Sequence, residues 1–376
     1  MEERIPAEVF PPGEVIREEL EARGWSQVEL SDIMGRPPRV VSEVMSGKRA
    51  ITPETAKGLG AAFGTGASFW VNLEGAYQLS KTVHDDATVQ KRAALYAKAP
   101  VKEMIKRQWI RPSENVAVLE SQVLHFLEIP NIDADIRFAH APKKSDSQPE
   151  LSGAQWAWLF RVRQIAKSVS VPQYSEKVLR KSLDRLRTLM LEPEEARHVP
   201  LILAECGVRF VIVEKLPNAT IDGVCFWIDE SPVIGMSTCR DRIDNFWFVL
   251  RHEIEHVLQG HGQDTEIVDH DLEGDKAGAG GSLPEEERVA NIAAADFCVP
   301  TAKLESFIAR KHPYYSERDV IAFSRLLARH QGIVIGQMRR RLNRYDYLTK
   351  HLVKIRQFVL STAIVDGWGQ VAPTSI

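Results

Sequence analysis

The stretch that most constrains this chain is Arg251-His252-Glu253-Ile254-Glu255-His256-Val257-Leu258, a His-Glu-x-x-His pattern inside an apolar segment that starts near Asp244. Four residues are slightly more than one helical turn, so a helix stacks His252 and His256 on one face, roughly 6 Å apart. Two imidazoles so placed can share one Zn²⁺, and Glu253 falls one step around the helix, beside the metal's open position. A carboxylate there can take a proton from water on the metal and pass it to a leaving amine. The same pattern also arises by accident as a solvated charged turn. Here the preceding run Phe246-Trp247-Phe248-Val249-Leu250 predicts a buried helix, in which a Glu and two His are costly to desolvate without a metal.

A chain of 376 residues is too long for one ordinary domain and points to two or three. Hydrophobic residues make up 44% and charged residues 26%, the balance of a water-soluble protein with a real core. The net charge of −3 excludes a global field that recruits nucleic acid or membranes, so any such binding needs a local patch. The four cysteines, Cys206, Cys225, Cys239 and Cys298, show no Cys-x-x-Cys spacing and fit buried thiols in a reducing cytosol. No apolar run is long enough to span a bilayer, and the N-terminus lacks a signal-peptide core. The expectation is a cytoplasmic protein without a membrane partner.

Residues 13–80 read as an all-helical unit. Val15, Ile16 and Leu20 recur at helical spacing; a second helix runs from Ser26, a plausible N-cap, to Met34 with Val28, Leu30 and Ile33 as its apolar positions. Gly35 supplies a left-handed turn, and Pro37-Pro38 opens a third helix, Arg39 to Met45. Small Ser31, then Gly35, then apolar Val41 are the spacing a helix-turn-helix requires: close approach, turn and lock. Gly47-Lys48-Arg49 follows, and Thr52-Pro53-Glu54 caps a fourth helix. The tract resembles the Cro/repressor-type helix-turn-helix. From Pro12 through Phe69-Trp70-Val71-Asn72-Leu73 to Tyr77 it is similar to the HigA antitoxin subgroup.

That resemblance implies a double-stranded DNA operator and a cognate toxin or repressor as partners; the plainer alternative is a helical bundle that serves only as scaffold. Residues 1–80 hold eight Lys/Arg against twelve Asp/Glu, so DNA binding rests on a patch of Arg36, Arg39, Lys48 and Arg49. Arg39 and Ser42, exposed on the third helix, are the candidates for base edges, and Lys48 and Arg49 for phosphates. So small a patch points to a homodimer on paired half-sites.

Residues 81–200 read as a helical connector, with a polar, proline-containing loop from His140 to Glu150. From about 200 the pattern turns to β: Gly207 to Val213, Gly223 to Ile228 and Pro232 to Met236 are short strands, the last two separated by a hairpin turn at Asp229-Glu230-Ser231. A small, mostly antiparallel sheet then leads into the His-Glu-x-x-His helix. The fold class expected is mainly α with a small β-sheet (α+β). Its parts are a helix-turn-helix domain (1–80), the connector (81–200) and a zincin-like metallopeptidase domain (201–376).

Two histidines leave a zinc site one protein ligand short. The metzincin spacing fails, because Gly262 stands where its third histidine belongs and His261 comes one residue early. The gluzincin solution takes a Glu from a second helix. Ser282-Leu-Pro-Glu285 reads as a capping box opening such a helix, although Glu285, Glu286 and Glu287 also read as favourable negative charge at a helix N-terminus. His261, Asp269 and His270 are further ligand candidates. Glu287, three residues before Ala290-Asn291 and followed by Ala294-Ala295 and Val299-Pro300, resembles the ImmA/IrrE metallopeptidase pattern. The resemblance implies that Glu287 is the ligand. Asp244 to His252 and Gly332-Ile-Val-Ile-Gly-Gln337 are similar to segments of the HigA-ImmA/IrrE fusion family. Two positions depart from it: Glu255 stands for a small residue, and Val289 for a Glu.

The implied activity is zinc-dependent cleavage of a partner protein or of the chain itself, with Zn²⁺ on His252, His256 and Glu287 and Glu253 as general base. Arg242 and His261 are candidates for stabilising the oxyanion. The alternative is a non-catalytic antitoxin or repressor in which zinc is structural or sensed. The strip from Gly260 to Gly281, rich in Gly and Asp, reads either as a substrate-gating loop or as an ordinary connector. Residues 317–345 read as helical, ending in the basic run Arg339-Arg340-Arg341.

Overall fold

The computed structural model describes residues 10–81, 86–137, 151–263, 267–269, 284–367 and 370–372. Its contacts divide the chain into two units, Met1–Val89 and Gln90–Ile376.

In the first unit α1 (Pro12–Arg23) and α2 (Gln27–Met34) are joined through Gly24, whose φ of 68° suits a residue without a Cβ. Ser26 and Glu29 form a reciprocal capping box at the start of α2, and Gly35, at φ 61°, ends it. The chain then enters α3 (Pro38–Met45) with a proline in its first turn. α4 (Pro53–Phe63) is capped by Thr52, and α5 (Ala67–Lys81) follows. Ile16, Leu20, Leu30, Val41, Val44, Leu59, Phe63 and Trp70 make the core. Ser31 is fully buried and folds its hydroxyl back onto the Val28 carbonyl, so α2 meets its neighbours without a protruding side chain. Of the three apolar positions on α2 only Leu30 is buried, and Val28 and Ile33 are exposed. At 3.6 residues per turn, both lie about 110° to either side of the Leu30–Ser31–Met34 stripe that faces the core.

The second unit follows α6 (Asp86–Lys98) with α7 (Val101–Lys106), α8 (Val116–Phe126), α9 (Gly153–Ser168), α10 (Glu176–Leu189) and α11 (Val199–Glu205). Then come β1 (Arg209–Val213), β2 (Gly223–Ile228), β3 (Ser231–Met236), α12 (Ile243–Leu258), β4 (Ile267–Asp269) and α13 (Glu285–Cys298). α14 (Thr301–Lys311), α15 (Glu317–Leu326), α16 (Gln331–Leu342), α17 (Arg356–Val359), β5 (Ile364–Gly367) and β6 (Gln370–Ala372) complete it. The strands form one six-stranded sheet in the order β4-β2-β3-β1-β5-β6. Its two faces follow the period of two along β1: Phe210 and Ile212 enter the core with α10, α11 and α12, whereas Val211 and Val213 enter the core with α8 and α9. The unit is therefore a sheet between two helical layers, and helices from 101–205 share cores with the strands. α14, α15 and α16 add a smaller core in which Phe307 stacks on Phe323 at 4.3 Å.

The sheet is mixed rather than mostly antiparallel in its centre. β2–β3, β2–β4 and β5–β6 are antiparallel, but β1 runs parallel to both β3 and β5. The hairpin at Asp229-Glu230 is present, with Ile228 opposite Ser231, so Ser231 belongs to β3 rather than to the turn. β1 and β2 do not pair, because the nine intervening residues carry the chain past β3. The helical stretch 317–345 is two helices, broken where Ala328 takes φ 52°. α13 begins at Glu285 with Pro284 before it and no side-chain cap; Ser282 lies outside the described residues. So do the loop 138–150 and residues 264–266 and 270–283 of the Gly-rich strip. Among the described residues, no helix is long and apolar enough to cross a membrane.

Candidate functional site

Every one of the 16 residues of α12 is buried, including its charged ones. The sheet lies against it and α10, α13 and α16 close around it. Close approach needs small residues at the crossings. Gly336 of α16 sits where a Cβ would strike Asp244, and Ala290 and Ala294 present no exposed surface on α13. Asp244, fully buried in the first turn of α12, is ion-paired to Arg242, which places a carboxylate at the positive end of the helix. Arg242, one of the two candidates for an oxyanion role, is thus engaged at that terminus.

His252 and His256 are completely buried, with their Nε2 atoms 3.0 Å apart. The first turn of α13 turns Glu287 towards them. Its Oε2 lies 3.3 Å from His252 Nε2 and its Oε1 3.5 Å from His256 Nε2. Glu285 pairs instead with Arg288 on the surface, and Glu286 is exposed. One donor atom from each of His252, His256 and Glu287 falls within a 4.8 Å cluster, a nitrogen-nitrogen-oxygen set of the kind zinc takes. His261 stands outside that cluster, and the Asp269 and His270 side chains lie outside the described ones. Glu253 is fully buried one position on from His252, and its carboxyl rests against the first residue of β2: a Cβ on Gly223 would collide with Glu253 Oε1. Sequence reasoning missed Gly223; the available signal was a glycine opening a strand, which often marks close approach by another group.

Glu255, the departure from the small residue of the family pattern, is 7% exposed. Its carboxylate accepts from Arg251 Nη2 at 2.6 Å and from Gln259 Nε2 at 2.7 Å. Burial works against its charge, but the hydrogen bonds from Gln259 and Arg251 outweigh it and hold the carboxyl below its ordinary range.

On the first unit, Arg39 is 87% exposed and Ser42, Lys48 and Arg49 are exposed as well. Arg36 is half-buried and ion-paired to Glu54. Sequence reasoning missed Glu43, which accepts from Arg39 Nε at 2.7 Å and lies 3.8 Å from Arg49. The hydrogen bond from Arg39, reinforced by charge attraction to Arg39, Arg49 and Lys48, holds the Glu43 carboxyl below its ordinary range. The signal was its position four residues after Arg39.

Comparison with known proteins agrees with this division. Residues 16–70 match the family described as Helix-turn-helix, and residues 207–343 the family described as IrrE N-terminal-like domain. The chain is 34% identical over 70 residues to the uncharacterized HTH-type transcriptional regulator YddM of Escherichia coli (strain K12), covering 19% of this chain and 74% of that one. It is also 34% identical over 79 residues to virulence-associated protein I of Dichelobacter nodosus, 21% of this chain and 73% of that one. A solved addiction module antidote protein of a HigA family from Coxiella burnetii shares 28% identity over 28% of this chain and 98% of its own, at a TM-score of 0.18. The chain belongs to the Cro/repressor-type helix-turn-helix regulators and carries, C-terminal to that module, a domain of the IrrE/ImmA-like peptidase family.

Proposed function

We propose that this chain is a cytoplasmic DNA-binding regulator whose C-terminal domain is a zinc-dependent peptidase that cleaves a protein partner or the chain itself. The observation that carries the reading is the cluster of His252, His256 and Glu287 donor atoms within 4.8 Å, with Glu253 fully buried one residue on from His252. The three residues fit a zinc ion by number and type of donor, and they come from two helices fixed by close packing. A bound Zn²⁺ supplies Lewis acidity, polarising a carbonyl and acidifying water. Glu253, held between α12 and Gly223, takes the proton from attacking water and delivers it to the leaving amine. The dry surroundings raise the weight of each charge in that transfer.

The first unit contributes address rather than chemistry. Arg39 and Ser42 face base edges, Lys48 and Arg49 face phosphates, Arg36 adds charge to the same patch, and two copies of the chain bind paired half-sites of an operator. The protein partner is a cognate toxin or repressor.

The test measures zinc per chain by elemental analysis and cleavage by mass spectrometry, on the chain itself and on a proteome-derived peptide library. Wild type is expected to hold about one zinc and to generate new termini. Glu287→Ala is expected to lose the metal, and Glu253→Gln to keep the metal and the fold while cleavage disappears. Zinc retained with cleavage unchanged in Glu253→Gln would sink the catalytic role. Zinc without cleavage in any variant would leave a regulator in which the metal is structural or sensed.

A further inference from the structure

We propose that His261 is a positioning residue of the metal centre, accepting a hydrogen bond from His256 Nδ1–H and so fixing the tautomer that turns His256 Nε2 towards the ion. The inference rests on the zinc reading above.

The end of α12 is built to return one side chain to the helix it has just left. Gln259 caps the helix, and the next three residues alternate: Gly260 at φ 72°, His261, and Gly262 at φ 80°. The left-handed conformation at both glycines is one that other residues adopt only with strain. It bends the chain so that His261 N–H donates to the His256 carbonyl at 2.9 Å. The turn is then pinned to the sheet. Trp227 Nε1 donates to the His261 carbonyl at 2.8 Å, and Gly262 lies so close to β2 that a Cβ would come within 2.7 Å of the Cys225 carbonyl oxygen.

The outcome is a ring contact of 5.2 Å between His256 and His261, with their Nδ1 atoms 3.0 Å apart. A neutral imidazole has one N–H donor and one acceptor nitrogen. On His256 the nitrogen that faces His252 and Glu287 is Nε2, so Nε2 carries the lone pair and Nδ1 the proton. His261 Nδ1 must therefore accept, which leaves its own proton on Nε2. Ligating histidines usually hand this second proton to a carboxylate or a carbonyl. Here an imidazole occupies that place, delivered by a loop whose backbone is fixed at both ends. The same contact removes two other roles for His261. Its ring meets the nitrogen of His256 that points away from Glu287, so it is not a ligand, and its Nδ1 is engaged, so it is not aimed at an oxyanion.

The full-length chain is titrated with Zn²⁺ against a chromophoric chelator, and with Co²⁺ for its visible spectrum, in wild type, His261→Phe, His261→Ala and His261→Asn. Phe keeps the ring without an acceptor, Ala removes the ring, and Asn places an amide oxygen near the position of Nδ1. Loss of an outer hydrogen-bond partner weakens metal binding by about 10–100-fold, the effect expected for Phe and Ala, with Asn restored to within a few-fold of wild type. The cobalt spectrum is expected to shift in Phe and Ala and to return in Asn. Wild-type affinity and spectrum in both Phe and Ala would overturn the proposal. So would an Asn variant as weak as Phe and Ala when thermal unfolding of the metal-free chains is the same in all four. A wild type that binds no zinc overturns the metal centre itself, and this inference with it.

Discussion

The same ion pair occurs in both units, in opposite surroundings. Arg39–Glu43 and Arg251–Glu255 each join an arginine to a glutamate four residues later on a helix, at 2.7 and 2.6 Å. The first pair has side-chain exposures of 87% and 27%; the second, 10% and 9%. An exposed pair of this kind contributes about 0.2–1 kcal/mol, because water solvates either partner nearly as well. Arg39 can thus exchange Glu43 for a phosphate or a guanine at little cost. Arg251 has no such freedom. Its guanidinium lies 5.8 Å from the Phe297 ring of α13, so the Arg251–Glu255–Gln259 row ties the helix bearing the two histidines to the helix bearing Glu287. Spacing along a helix determines which charges meet; the packing around them determines whether the meeting is exchangeable or fixed.

The widest separation between the two pairs should appear in stability. Removing one partner of a buried pair strands the other charge, and Glu255→Ala is expected to cost about 3–5 kcal/mol by urea unfolding of the metal-free chain. Glu43→Ala is expected to stay within a few tenths to 1 kcal/mol. Equal losses would break the contrast. In DNA binding the ranking reverses. Arg39→Ala is expected to weaken operator binding by about 1–3 kcal/mol in a gel-shift titration at fixed salt, with discrimination relaxed at one base position. The smallest effect sharpens the comparison most: Glu43→Gln frees Arg39 and Arg49 from their carboxylate, so affinity should rise by less than about fivefold. The salt dependence should steepen by roughly one unit of log–log slope. A fall in affinity would mean that Glu43 aims Arg39 rather than competing for it.

How much could be read from the residues follows the same division between local and distant. Ser31, Gly35 and Val41 act within one supersecondary motif, and the turn they define is present as expected. His252, Glu253 and His256 are equally local, since helical periodicity alone stacks them. Glu287 was reachable only through resemblance to a family; three adjacent glutamates are equivalent until α13 docks and turns one of them inwards. The covering of Glu255 was not legible: the apolar run before His252 marks α12 as buried, but four charged residues beyond the two histidines leave one solvated face open, and here sheet and helices cover every side. Hydrophobicity does not separate Leu30 from Val28 and Ile33 among the apolar positions of α2, and an eight-residue helix packed along one narrow stripe leaves its flanks in water. The parallel pairing of β1 was hidden too, since its partner β5 lies more than a hundred residues away and neither strand marks the other.

That pairing has a consequence for the order in which the protein comes into being on the ribosome. β5 adjoins β1 inside the sheet, and its Asp366 receives Trp109 Nε1 at 3.1 Å and is ion-paired to Arg161. The sheet under the histidines therefore cannot close until translation has passed residue 367. Among the described residues, the helix-turn-helix core draws on nothing beyond Leu73, and Glu74 closes it by accepting from Ile51 N–H. At roughly 5–20 residues per second, a nascent chain carries a finished first unit for some tens of seconds before the second can assemble. Each molecule completes its helix-turn-helix unit before the sheet beneath His252 and His256 can close, and a chain broken off in synthesis retains the first without the second.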